Sequence, residues 1–172
     1  VEHVERLFRL YHAPLVRYLT RRLGDRDWAE EIAQETFLRA LRQETISSER
    51  SWLFAVATNL VRDDARKQSR QRKQLELLRV EAEAHVSVDP EPTSMERDEE
   101  RALARQAVES LAEKDRLALL MREEGLDYDE IAAALNITRS SVGTTLSRAR
   151  RRLAEQFEAL QRDKEGHGHA AS

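Results

Sequence analysis

Two stretches of this chain carry the side chains that neutralise a polyanion. From Arg62 to Lys73 stand six cations (Arg62, Arg66, Lys67, Arg70, Arg72 and Lys73) against two acids, a local charge of +4. From Thr138 to Arg152 stand five arginines and no acid, a local charge of +5. Basic groups repeated at helical spacing displace counterions from phosphate, the sequence-independent part of nucleic-acid affinity. Between them, Glu81 to Glu100 holds eight acids against Arg97, a local charge of −7. A solvated helix face accounts for either basic block as well as a polyanion does. The pattern around each block has to separate the two readings.

The second block lies in the stretch Tyr128 to Arg148, YDEIAAALNITRSSVGTTLSR. Ile131 and Leu135 are four apart, with the small Ala132 where a second helix must cross closely. Asn136 stands at the turn, and asparagine is the non-glycine residue that best tolerates positive φ. Ile137 plugs the turn and Thr138 can cap the next helix. Val142 and Leu146, again four apart, pack that helix back on the first. A small residue, a turn residue and a buried aliphatic in this order form a helix-turn-helix. Its second helix enters the major groove with its N-terminal residues near base edges. Arg148, Arg150, Arg151 and Arg152 then supply phosphate contacts. A helical hairpin that binds no DNA is the alternative.

The elements that must position these residues read as helices throughout. Val4, Leu7, Phe8, Tyr11, Leu15, Tyr18, Leu19 and Leu23 recur at helical spacing, with Pro14 expected to break or kink the run and Gly24 to stop it. Asp27 can cap a second helix whose apolar side holds Ile32, Phe37, Leu38 and Leu41. Ser47-Ser48 offers another cap, before a helix carrying Trp52, Leu53, Val56, Leu60 and Val61 inward and running out into the first basic block. Met95 to Leu111 is amphipathic. Leu117, Leu120 and Met121 come next, and Gly125 ends that helix. No alternating strand pattern occurs. The segment Val86 to Ser94 holds two of the three prolines and is the best boundary.

The 172 residues sum to a net charge of −3, with 35% charged, 5% aromatic and no cysteine. That balance suits a helix-rich chain and excludes a disulfide framework, thiolate zinc ligands and a thiol nucleophile. No run of about 18 apolar residues is present, and the charged N-terminus is no signal peptide, so a cytoplasmic protein is expected. There is no glycine-rich phosphate loop, nucleophile elbow or carboxylate pair in an apolar setting, so no catalytic residue is expected. Gly166-His167-Gly168-His169 is read as tail rather than as a metal site, and no cofactor is expected.

Three further segments carry a family resemblance. Ala29 to Ala40, AEEIAQETFLRA, looks like the polymerase-binding helix of bacterial sigma factors. Trp52 to Arg66, WLFAVATNLVRDDAR, resembles their helix for the promoter −10 element, and Glu109 to Leu153 is similar to their −35-binding domain. The two halves succeed one another with no long extension or middle domain, as in the compact extracytoplasmic-function (group IV) class. The resemblance implies an all-α fold of two small helical domains joined by an acidic flexible linker. Residues 1–80 would bind polymerase and the −10 element, 81–98 would be linker, 99–160 would bind the −35 element, and 161–172 would be a flexible tail.

The resemblance also implies roles. Glu30, Glu31, Gln34, Glu35, Phe37 and Arg39 would dock on the coiled coil of the largest subunit of core RNA polymerase, with the −35 domain on the flap. Asn59 would line a pocket for a flipped non-template base, whose unstacking costs a few kcal/mol. Arg62, Arg66 and Lys67 would hold phosphates, and the loop Thr45 to Ser51, with Ser48 and Arg50, would form the rim. Thr138, Arg139, Ser140, Ser141, Thr144, Arg148 and Arg151 would face the −35 element. A monomer outside its complexes, with promoter DNA and an anti-sigma protein as further partners, is expected. The sequence departs from the family at two places. The rim loop has no aromatic residue, although stacking platforms usually supply one. In the recognition helix Gly143 and Thr145 stand where relatives often carry Lys and Arg.

Two rivals stay open on sequence. A conventional helix-turn-helix regulator would dimerise and read a palindrome without polymerase. A helical adaptor would recruit partners through its acidic helix and have no salt-dependent DNA affinity. Trp52 to Arg66 discriminates against the first, since a regulator needs no base-pocket Asn beside a basic helical run. Asn136 followed by Val142 discriminates against the second.

Overall fold

The computed structural model describes residues 1–79 and 95–169, with side chains described over 1–65 and 96–168. The acidic segment read as a linker therefore lies outside the described residues, apart from its last four. Among the described residues seven helices stand in order: α1 (Glu2–Leu23), α2 (Arg26–Leu41), α3 (Glu49–Arg79), α4 (Met95–Glu109), α5 (Glu113–Glu123), α6 (Tyr128–Leu135) and α7 (Arg139–His169). No strand occurs among the described residues.

Helix ends obey local chemistry, with corrections to the sequence reading. Gly24 stops α1 in the left-handed region, φ 69°, its N–H donating to the Thr20 carbonyl at 2.8 Å. Pro14 does not break α1, which runs unbroken through it. The carbonyl that loses its donor belongs to Leu10, an exposed residue, so water can take the bond. The cap of α2 is Asp25 rather than Asp27: Asp25 accepts from the Trp28 N–H at 3.1 Å. Residues 95–98, read as linker, are the first turn of α4, and residues 161–169, read as tail, are the last turns of α7. An ion pair from Lys164 to Glu99 ties that end of α7 to α4.

One core runs through both halves of the chain. It joins Leu7, Leu15, Tyr18 and Leu19 of α1, Ile32 and Phe37 of α2, and Leu53, Phe54 and Val61 of α3 to Leu117, Met121, Ile131, Val142 and Leu146 of α5 to α7. Tyr18 donates to the Thr58 hydroxyl at 2.8 Å, and Thr58 donates onward to the Phe54 carbonyl at 2.7 Å. That chain satisfies two polar groups that burial would otherwise penalise. The halves meet where α5 lies on α1 and α6 lies on α3.

Candidate nucleic-acid interface

The turn between α6 and α7 is built as its residues require. Asn136 has φ 54° and ψ 48°, the sole non-glycine residue with positive φ among the described residues. Its N–H closes on the Ala132 carbonyl, and the Ile137 N–H reaches the same carbonyl at 3.0 Å. Asp127 and Glu130 form a reciprocal capping box, with Glu130 N–H on Asp127 at 2.8 Å and Asp127 N–H on Glu130 at 3.1 Å. Val142 and Leu146 are fully buried, which holds the opposite side of α7 outward. Thr138, Arg139, Ser140, Ser141, Thr144 and Arg151 lie on the outer side, and all six are exposed. The Thr138 hydroxyl meets that of Ser141 at 2.6 Å and that of Ser140 at 3.2 Å. Arg139 pairs with Asp129 at 2.9 Å, both exposed.

Arg148 and Thr145 do not join that outer row. Arg148 grips Asp115 with its Nη2 at 2.7 Å and its Nε at 2.9 Å, and the Asp115 side chain is only 1% exposed. These bonds and the arginine's charge hold the Asp115 carboxyl below its ordinary range. A buried carboxylate needs such a fork. Arg148, expected at the −35 element, is thus held by the first turn of α5. Thr145 is buried, so it is the inward neighbour of the outer row.

On α3, Asn59 is exposed between buried Thr58 and Leu60, and Arg62 comes one turn later. The side chains of Arg66 and Lys67 lie outside the described residues. Ser48 stands just before α3, its carbonyl accepting from Trp52 N–H at 2.9 Å. Arg50 and Ser51, placed by sequence on the rim, belong to the first turn of α3 and face the other half. Arg50 forks onto Glu130 with two bonds of 2.6 Å, and Ser51 donates to the Glu130 carbonyl at 3.0 Å. The Arg50 fork holds the Glu130 carboxyl below its ordinary value.

On α2, Asp27, Glu30, Glu31, Gln34, Leu38 and Arg39 are exposed, with Glu35 partly so. Glu30 pairs with Arg26 and Glu35 with Arg39, both at 3.3 Å along the helix. Phe37, read as a contact residue, is core: it is 5% exposed and meets Phe8 edge-on with ring centres 5.2 Å apart. Leu38 and Leu41, read as inward, are about half exposed, at 53% and 50%. Adjacent apolar residues on a helix point about 100° apart, so a stripe containing both Phe37 and Leu38 can bury only one fully. Phe8, half exposed and stacked on His12 at 4.2 Å, was missed as a surface residue because its spacing is that of the core.

The halves are also joined by ion pairs. Arg17 pairs with Glu124 at 3.1 Å, Arg21 with Glu123 at 3.7 Å and Glu124 at 3.8 Å, and Arg22 and Arg62 share Glu113 at 2.9 and 3.3 Å. With Arg50–Glu130, these pairs share one polarity: arginine from the first half, glutamate from the second.

Comparison with known proteins decides between the open readings. Residues 7–71 match the Sigma-70 region 2 family and residues 101–153 match Sigma-70 region 4. Over 165 residues the chain is 31% identical to RNA polymerase sigma factor YlaC of Bacillus subtilis, covering 91% of this chain and 92% of that protein. The chain belongs to the extracytoplasmic-function sigma factors. It is also 33% identical to the ferric citrate uptake sigma factor FecI of Escherichia coli over 150 residues, 84% of this chain and 85% of that one. The fold is shared with the sigma factor RpoE of Bartonella quintana, solved with the anti-sigma factor NepR: TM-score 0.66 and 20% identity over 92% of this chain and 98% of that one. This sigma factor binds core RNA polymerase and directs promoter-specific initiation. No helix among the described residues is long and apolar enough to cross a membrane.

Proposed function

We propose how this sigma factor divides that work among its residues. Residues 1–80 act as the polymerase- and −10-binding unit and residues 99–160 as the −35-binding unit. The row Glu30, Glu31, Gln34, Glu35 and Arg39 of α2 docks on the polymerase coiled coil, with Leu38 replacing Phe37 as the apolar contact. Carboxylates around one exposed leucine suit a basic helical partner with an apolar stripe. Asn59 holds a flipped −10 base by its amide, which offers both donor and acceptor, while Arg62, Arg66 and Lys67 hold the backbone and Ser48 lies at the rim. Thr138, Arg139, Ser140, Ser141, Thr144 and Arg151 face the −35 element. The chain acts in the cytoplasm, supplies no catalysis of its own and is controlled by an anti-sigma protein.

The observation that carries this reading is the exposure of Asn59 on a stretch of α3 that is otherwise buried, one turn from Arg62, in a chain that also presents a helix-turn-helix. The closed arrangement engages Arg50 and Ser51 with α6, so the halves must part before the rim meets DNA. The test is assembly with core polymerase, then sequencing of the DNA that the holoenzyme selects. Two short elements one to two helical turns apart are expected. Asn59→Ala should then cut open-complex yield at least tenfold with polymerase affinity unchanged, the consequence of losing ~1.4 kcal/mol or more of base contact. Equal yields would remove the pocket assignment. Glu35→Arg with Gln34→Ala should do the reverse and weaken polymerase binding.

A further inference from the structure

The end of α1 belongs to neither promoter-reading site, yet it carries Arg17, Arg21 and Arg22 against glutamates of the other half. We propose that these three arginines form a phosphate-binding track for promoter DNA, and that Glu113, Glu123 and Glu124 occupy the track in place of phosphate while the halves are closed. The inference rests on the sigma-factor function and extends it to residues outside the two promoter-reading sites.

Three observations carry it. The first is polarity. Arg17, Arg21, Arg22, Arg50 and Arg62 all come from the first half, and the acceptors Glu113, Glu123, Glu124 and Glu130 all come from the second. Arg17 and Arg22 hydrogen-bond to carboxylate oxygens at 3.2 and 2.9 Å, the geometry they would use on a phosphate oxygen, and Arg21 stands within ion-pair distance at 3.7 to 3.8 Å. The −35 half therefore presents a line of anionic oxygens to the surface that must later meet an anionic backbone.

The second is continuity. Arg22 and Arg62 share one carboxylate, Glu113. The α1 arginines thus continue into the face of α3 on which Asn59 lies one turn before Arg62. A strand whose base entered the Asn59 pocket would have its flanking backbone directed along this row.

The third is incomplete satisfaction. The Arg22 side chain is only 7% exposed, yet its Nη1 has no hydrogen-bond partner. Arg116 of α5, beside it, is a cation of the second half and leaves with that half when the two part. One shared carboxylate supplies fewer acceptor sites than Arg22 and Arg62 have donors. Each phosphodiester brings two free oxygens, and successive phosphates recur along the strand, so a backbone would fill what Glu113 leaves open. The competing account is that arginines in the last turn of α1 only offset the helix dipole. That account predicts no change in how DNA binding responds to salt.

The test uses holoenzyme made from the full chain and core polymerase, with promoter DNA titrated across salt concentrations. Arg17→Gln with Arg21→Gln should leave polymerase affinity unchanged. It should make the slope of log affinity against log salt shallower by roughly 1.8, about 0.9 for each phosphate released. Arg17→Lys with Arg21→Lys keeps both charges and should restore the slope. In the free chain, Glu123→Gln with Glu124→Gln should raise non-specific DNA affinity about tenfold or more at low salt, because two masked cations become available. An unchanged slope in the glutamine variant, or loss of polymerase binding in place of salt sensitivity, would overturn the proposal, the latter by giving the arginines to the protein partner. If the wild-type chain assembled with no polymerase, the assigned function would fail instead, and the free-chain measurement would still test the masking.

Discussion

Arginine is used in opposite ways on the two sides of this molecule. In the −35 half, Arg148 turns inward and locks α7 to α5 by gripping Asp115, a carboxylate almost wholly withdrawn from water. In the −10 half, Arg17, Arg21 and Arg62 stay half exposed, and their partners lie on the other half. The first arrangement cannot be released without leaving a buried charge, so it belongs to the fold. The second lies on the seam between the halves: Glu124 is only 5% exposed while they are closed, but parting returns both partners to water together. What separates a structural arginine from one available to a ligand is therefore whether its partner belongs to the same half or to the other one, not its own spacing in a basic run.

The largest expected effect breaks the structural side of that contrast. Asp115→Ala leaves Arg148 without its fork and opens a gap between α5 and α7. It should lower the melting temperature by about 5–10 °C, as for a lost buried charge pair in a domain of this size. By contrast, Glu124→Ala removes a partner of Arg17 and Arg21, and should move the melting temperature by much less. If the two substitutions cost the same, the distinction between locked and releasable pairs would not hold.

A second expectation concerns the hub where two arginines share one glutamate. Glu113→Lys places a fourth cation beside Arg22, Arg62 and Arg116 and should drive the halves apart with each helix intact. Small-angle scattering should show a radius of gyration above the ~16 Å expected of a compact chain of 172 residues. Circular dichroism should show unchanged helix content. A compact variant would mean that the shared apolar core, rather than the ion pairs, holds the halves together.

These contrasts also show what could be read in the sequence. The turn at Asn136, the stop at Gly24 and the burial of Val142 and Leu146 were legible because each is decided by residues within one or two turns. The role of Arg148 was not, because its partner lies 33 residues away and nothing local distinguishes it from Arg151. The same holds for Arg50, whose partner Glu130 is 80 residues on. Phe37 and Leu38 were misassigned between core and surface because an apolar stripe does not say which of two neighbours faces inward. Of the candidate site, the outer row of α7 and Asn59 were read correctly as lying off the core. The masking of the first half by the second had no sequence signal, since complementary charges on separate segments carry no common period.

Acid should separate the two classes of pair more gently. The Glu113 and Glu130 carboxyls are held below their ordinary value by hydrogen bonds from Arg22 and Arg50 respectively. A depressed carboxyl stabilises the closed form fully above its ordinary value, 4.5 here, and loses that contribution as pH falls through the depressed one. Scattering should therefore be flat from neutral pH down to about pH 5 and then report opening. Asp115 is depressed by Arg148 in the same sense. Its ordinary value, 3.8, lies below the 4.5 of the two glutamates, so opening should precede loss of helix signal. Coincident transitions would place both kinds of pair in one cooperative unit.

The smallest effect sharpens the contrast at the recognition helix itself. Gly143 lies inside α7, where glycine costs up to about 1 kcal/mol relative to alanine. A Cβ there would meet the Tyr128 ring at 3.6 Å, ordinary van der Waals contact, and the backbone is not in the left-handed region. Gly143→Ala should accordingly raise stability by about 0.5–1 kcal/mol, or roughly 1–4 °C in melting temperature. The same methyl group narrows the shallow hollow lined by Tyr128, Arg139, Ser140 and Gly143 on the outer side of α7. If that hollow meets a base edge, the more stable variant should lose −35 discrimination by about tenfold at one position and keep its salt slope, because no charge has changed. A gain in stability with promoter choice intact would leave the neighbouring polar side chains to do the reading. Either result contrasts with the arginine substitutions, which should change the salt slope and leave base choice alone.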